Sequence, residues 1–90
     1  MEIERLSFQI IPEDRVDDFI KADNEVWSPW LQQQRGYLRK TANVYPGGRV
    51  DLRIYWASKR DLEQASKDPQ IPAIDVKLRS QFLGVYQRLP

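Results

Sequence analysis

The side chains of this sequence that could do chemistry are carboxylates, amides, tyrosines, lysines, arginines and tryptophans, because cysteine and histidine are both absent. Their absence removes disulfides, thiol nucleophiles, zinc sites built on Cys or His, imidazole ligation of haem, and every Ser-His or Cys-His mechanism. The richest remaining resource is the indole. Trp27 and Trp30 lie about one helical turn apart, Asp23 precedes Trp27 by another turn, and Trp56 closes a strand-like run. With Phe8 at the base, these rings can wall a gap between helix and sheet that suits a small aromatic molecule. Asp23 in such a wall could orient a hydroxyl or, if desolvated, carry a proton. The competing reading has the indoles filling the core, their N–H groups bonded to nearby carbonyls, and Asp23 as an ordinary solvated acid. The acidic pairs Glu13-Asp14 and Asp17-Asp18 open a helix, where they favour the positive end of its dipole. A hard metal would want several converging carboxylate oxygens, so no metal and no cofactor is expected.

The elements that must position these residues follow from periodicity. From Ile3 to Ile11, Leu6, Phe8 and Ile10 alternate with polar residues, as in a half-buried strand. Pro12 begins a helix whose inward stripe is Val16, Phe19, Ile20, Asp23, Trp27, Trp30 and Leu31. Pro29 should kink that helix or start a fresh turn capped by Ser28. Tyr37 to Tyr45 and Val50 to Trp56 form a hairpin about the Pro46-Gly47-Gly48 turn. Ser58-Lys59-Arg60-Asp61 opens a short helix as a capping box, with Leu62 and Ala65 inward. Pro72 starts another helix, with Ile74, Leu78 and Phe82 on one face, and Val85 to Leu89 is the last strand. The order βαββαβ predicts one ferredoxin-like α+β domain over residues 1–90, with both crossover helices on one face of an antiparallel sheet.

Counting by twos along the strands places Leu6, Phe8, Ile10, Leu38, Ala42, Val44, Val50, Leu52, Ile54, Trp56, Val85 and Leu89 on the core face. The opposite face then collects all four tyrosines and four arginines: Arg5, Tyr37, Arg39, Tyr45, Arg53, Tyr55, Tyr86 and Arg88. Such an amphipathic platform needs a cover. A second copy of the chain is the favoured one, since tyrosine and arginine are residues that interfaces enrich. Single-stranded nucleic acid stacking on the rings is the alternative, faintly echoed by Arg35-Gly36-Tyr37. Net charge argues against it: at +1 the chain lacks the long-range attraction for phosphate.

Ninety residues bury only roughly 60 to 65% of their unfolded surface, so association would add needed burial. The opening Met1-Glu2-Ile3-Glu4 has no basic start, and no apolar stretch is long enough to cross a bilayer. The expectation is a cytoplasmic homodimer without a membrane partner.

The plan of elements, the Gly36-Tyr37 start of the second strand and the Tyr55-Trp56-Ala57-Ser58 end of the third resemble the antibiotic biosynthesis monooxygenase group of dimeric α+β barrels. More narrowly, Asp23 to Leu31, Gly36 to Lys40, Tyr55 to Ser58 and Ile71-Pro72 are similar to a small, mainly cyanobacterial family without established activity. The resemblance implies a homodimer whose two sheets close a barrel. It also implies a site between helices and sheet, used in the larger group by cofactor-independent oxygenases of polycyclic aromatics and by haem-degrading enzymes. Trp56 matches the strand-three tryptophan of those enzymes. The haem-holding histidine has no counterpart here, and the first-strand asparagine falls near Ser7.

Overall fold

Alternating polarity at the start of the chain produces β1 (Glu2–Ile11), the longest strand of a computed structural model that describes residues 1–90. A short 3-10 turn (Glu13–Arg15) leads into α1 (Val16–Gln32). Then follow β2 (Tyr37–Tyr45), β3 (Arg49–Trp56), α2 (Lys59–Ala65), α3 (Ile71–Gln81) and β4 (Val85–Leu89). The four strands form one antiparallel sheet in the order β2-β3-β1-β4, which is the ferredoxin-like topology.

Local chemistry accounts for the boundaries. Ser58 Oγ accepts from the Asp61 backbone N–H at 3.1 Å, capping α2. Gly47 and Gly48 turn the hairpin with φ of +85° and +87°, a region costly for any residue with a Cβ. Gly36 holds φ +81° ahead of β2, where a Cβ would collide with the Asp61 side chain. Pro29 departs from expectation. α1 runs through it without a new cap at Ser28, because a proline near the C-terminal end leaves only one internal carbonyl without its helical N–H.

Two clusters make the core. The larger packs Phe19, Val16 and Val26 of α1 against Ile10, Val50 and Leu52 of the sheet, and Leu78, Phe82 and Tyr86 complete it. The smaller gathers Leu31, Ile54, Trp56 and Ala65.

Two strands are out of phase with the simple alternation. Tyr37 pairs with Trp56 and Arg39 with Tyr55, so Leu38 is the extra residue of a β-bulge. Tyr37 therefore faces the helices beside Trp56, with ring centroids 6.1 Å apart, and Leu38 is exposed. In β4, Tyr86 lies opposite Ile10 and Arg88 opposite Phe8. Both thus face the helices, while Val85 and Leu89 share the outer face with Ile11 and Ser7. The expected outer-face assignment of Tyr37, Tyr86 and Arg88 is corrected accordingly, as is the core assignment of Leu38, Val85 and Leu89. Ala42 and Val44 keep the expected side yet stay exposed, on an edge strand where no helix covers them.

A candidate ligand cleft between helices and sheet

The phase of the strands decides what α1 meets. From β1, Glu4, Leu6 and Phe8 point toward the helices; from β3 come Leu52, Ile54 and Trp56; from β2 comes Lys40, level with Ile54. α1 lays Asp23, Trp27 and Trp30 over them, and α3 with β4 adds Asp75, Arg79, Tyr86 and Arg88. Between these layers lies a cleft of about 430 Å³, inside the range of small-molecule sites. All five expected ligand residues, Phe8, Asp23, Trp27, Trp30 and Trp56, line it.

The three indoles play different parts. Trp56 is 1% exposed, packed among Leu31, Ile54 and Ala65, and forms a fixed floor. Its Nε1 donates to Glu4 Oε1 at 3.2 Å. Trp30 Nε1 donates to Asp68 Oδ2 at 2.8 Å, which ties α1 to the segment between α2 and α3. The Gln70 backbone N–H, and then that bond, hold the Asp68 carboxyl below its ordinary range. Trp27 is half-buried, edge-to-face against Trp30 at 5.6 Å, and its N–H has no protein acceptor. The acceptors found are carboxylates, where the core-filling reading expected carbonyls.

Asp23 is no solvated acid. It is 4% exposed, and Lys40 Nζ donates to its Oδ2. Burial pushes the carboxyl upward, against the charge and hydrogen bond of Lys40. Neither partner is satisfied by the other alone. An ammonium has three N–H donors and a carboxylate two acceptor oxygens, and this one bond joins them. Lys40 is the partner of Asp23 that sequence reasoning missed, though a signal existed. It falls in step with Leu38, Ala42 and Val44, as Asp23 falls within the apolar stripe of α1, and two opposite charges on two inward stripes call for each other.

A second polar group sits at the α3–β4 end. Tyr86 Oη donates to Asp75 Oδ1 at 2.9 Å, Arg79 Nε donates to Asp75 Oδ2 at 3.1 Å, and the Arg79 guanidinium lies 4.5 Å over the Tyr86 ring. Burial, then the bond to Asp75 and its charge, raise the Tyr86 hydroxyl far above its ordinary value, so it remains a donor.

On the outer face stay Arg5, Arg39, Tyr45, Arg53 and Tyr55 from the expected interface set. Arg39 lies 4.3 Å over the Tyr55 ring and Arg49 lies 5.3 Å over that of Tyr45. Toward β4 the same face turns apolar, through Ile3, Ile11, Val85 and Leu89.

No family model matches the chain, and no curated protein matches it by sequence. Solved structures do match in fold. SnoaB, a cofactor-independent oxygenase from Streptomyces nogalater, superposes with a TM-score of 0.69 at 12% identity, covering 98% of this chain and 89% of that one. A monooxygenase from the ActVA-Orf6 gene of Streptomyces coelicolor, in complex with nanaomycin D, gives 0.72 at 15% identity, over 97% and 81%. A dimeric ferredoxin-like protein from an uncultured marine organism gives 0.71 at 19%, over 97% and 89%. No helix is long and apolar enough to cross a membrane. The chain thus has the ferredoxin-like α+β fold of the antibiotic biosynthesis monooxygenase-like proteins.

Proposed function

We propose that this protein is a homodimer that binds a small aromatic molecule in the cleft between α1, α3 and the sheet. The observation that carries the proposal is the cleft's wall: apolar rings from Phe8, Trp27 and Trp30 on a fixed Trp56 floor, with the half-satisfied Asp23–Lys40 pair among them. Ring faces supply non-directional affinity, and the few polar groups supply orientation. The indole N–H of Trp27 adds one free donor.

The dimer reading rests on the outer face. Its apolar half along β1 and β4 and its arginine-tyrosine half along β2 and β3 fit a self-complementary twofold interface, in which each half meets a patch of the partner. The dimeric fold neighbour is consistent with this. Nucleic acid is disfavoured, because Tyr37 and Tyr86 point inward and the rings of Tyr45 and Tyr55 carry guanidinium groups. Membership of the small, mainly cyanobacterial group and a place in the cytoplasm belong to the same reading.

Cofactor-independent oxygenation is the second reading. It is favoured by the fold shared with a monooxygenase that holds a ligand and by a desolvated carboxyl at the cleft's wall. Titrating the protein with a naphthol while following tryptophan fluorescence tests binding. Saturable quenching that Trp27→Leu abolishes is expected, and quenching that stays linear in ligand would overturn the proposal. Oxygen uptake on adding an electron-rich polycyclic phenol, weakened by Asp23→Asn, would establish the oxygenase.

A further inference from the structure

We infer that the ligand of this cleft is an aromatic acid whose carboxylate is held by Arg88 at the α3–β4 end; the inference rests on the cleft reading above. Six ionisable side chains other than tyrosine line the cleft: Glu4, Asp23, Lys40, Asp75, Arg79 and Arg88. Asp23 is taken by Lys40, and Asp75 by Arg79. Glu4 and Arg88 are left without ionic partners, and they stand apart. Glu4 lies level with Ile54 under the α2 side, where its Oε1 is bonded by Trp56. Arg88 lies level with Phe8 on the edge strand, four residues farther along β1. At roughly 3.3 Å per residue that separates them by about 13 Å along the strand.

The cleft is therefore polarised along its length, cationic toward β4 and anionic toward α2. The cationic end is also rich in donors. Arg79 uses only Nε on Asp75 and keeps its two terminal nitrogens free, and Arg88 makes no ion pair. Tyr86, protonated and committed to Asp75, offers no competing charge. A guanidinium presents a planar fork of donors that fits a carboxylate through two parallel bonds. An aromatic body between Phe8 and Trp27 places a carboxylate attached to it within this end. A hydroxyl at the far side of the ring system would meet Glu4.

The test compares a naphthoate with the corresponding naphthamide at pH 7 by isothermal titration calorimetry. The two share shape and ring area and differ in charge. The naphthoate is expected to bind about tenfold more tightly, a modest preference because Arg88 is solvent-exposed. Arg88→Gln should erase that preference while leaving naphthamide affinity unchanged, and Arg88→Lys should retain part of it. Arg60→Gln, which removes the same charge from α2 outside the cleft, should change neither affinity. Equal affinities of the two ligands for the unaltered protein, or a preference that survives Arg88→Gln, would overturn the carboxylate inference while the cleft reading stands. If neither ligand binds, the cleft reading falls and takes this inference with it.

Discussion

Lys40→Met isolates the buried ion pair and gives its contribution a sign and a pH dependence. The side chains of Asp23 and Lys40 are 6% and 8% exposed, so solvent screens them little. Removing one partner of a buried pair costs about 3–5 kcal/mol because the other charge is stranded. Methionine keeps most of the lysine stem's packing, so nearly all of that cost is electrostatic. Against a total of about 5–10 kcal/mol for a domain of this size, it consumes a large share of the stability. The stranded group is a carboxyl that burial already pushes up; without Lys40 its folded pKa rises further above the unfolded value of about 3.9. A group with a raised folded pKa contributes stability that is complete below the unfolded pKa and is lost as pH climbs through the folded one. Urea unfolding at fixed protomer concentration should therefore show a deficit of about 3–4 kcal/mol at pH 7.5 that shrinks below about 1 kcal/mol near pH 4. Asp23→Leu combined with Lys40→Met should return stability to within about 1 kcal/mol of the parent or exceed it, and flatten the profile. A deficit of the same size at both pH values would refute the reasoning, since it would trace the loss to packing and not to charge.

Other perturbations separate the parts of the molecule. Trp56→Ala should cost about 3–5 kcal/mol because the ring is a filled core position, while half-buried Trp27→Ala should cost less than half of that yet abolish naphthol quenching. Tyr86→Phe should cost about 1 kcal/mol, the hydrogen bond to Asp75, and leave the ring cluster with Phe8, Phe19 and Phe82 in place; thermal melts read this directly. Arg53→Glu joined with Tyr55→Asp, in the middle of the outer face, should halve the mass found by light scattering without changing the far-ultraviolet circular dichroism. A mass that is unchanged by the substitutions would move the interface elsewhere.

The element order was legible because each strand except the last contains at least three apolar residues in step, and each helix start carries a cap or a proline. Parity was harder. Within Val85-Tyr86-Gln87-Arg88-Leu89, one phase offers two aliphatics and the other a tyrosine and an arginine, so hydropathy favours the wrong side. Tertiary packing decides otherwise: a ring is needed to close the cluster of Phe8, Phe19 and Phe82, Asp75 takes the hydroxyl, and an arginine at the cleft's rim keeps its head in water. The aromatic members of the cleft were visible from their spacing. Among its polar members Asp23 was visible within the stripe of α1, but Lys40 and Arg88 were not, because they read as surface residues until the elements opposite them are in place.

The extra residue in β2 acts as a parity bit for the whole strand. Tyr37 and Lys40 stand three positions apart, an odd interval that an unbroken strand would send to opposite sides, yet both face the helices. Straightening the strand without losing a residue would cost one of them: with pairing downstream of Arg39 preserved, Tyr37 would turn out of the small core and onto the outer face; with Tyr37 held in place, Lys40 would be ejected and Asp23 stranded. Deleting Leu38 would instead bring the two to an even interval and keep both inward, so one extra residue is what lets this odd spacing serve the cleft at both positions.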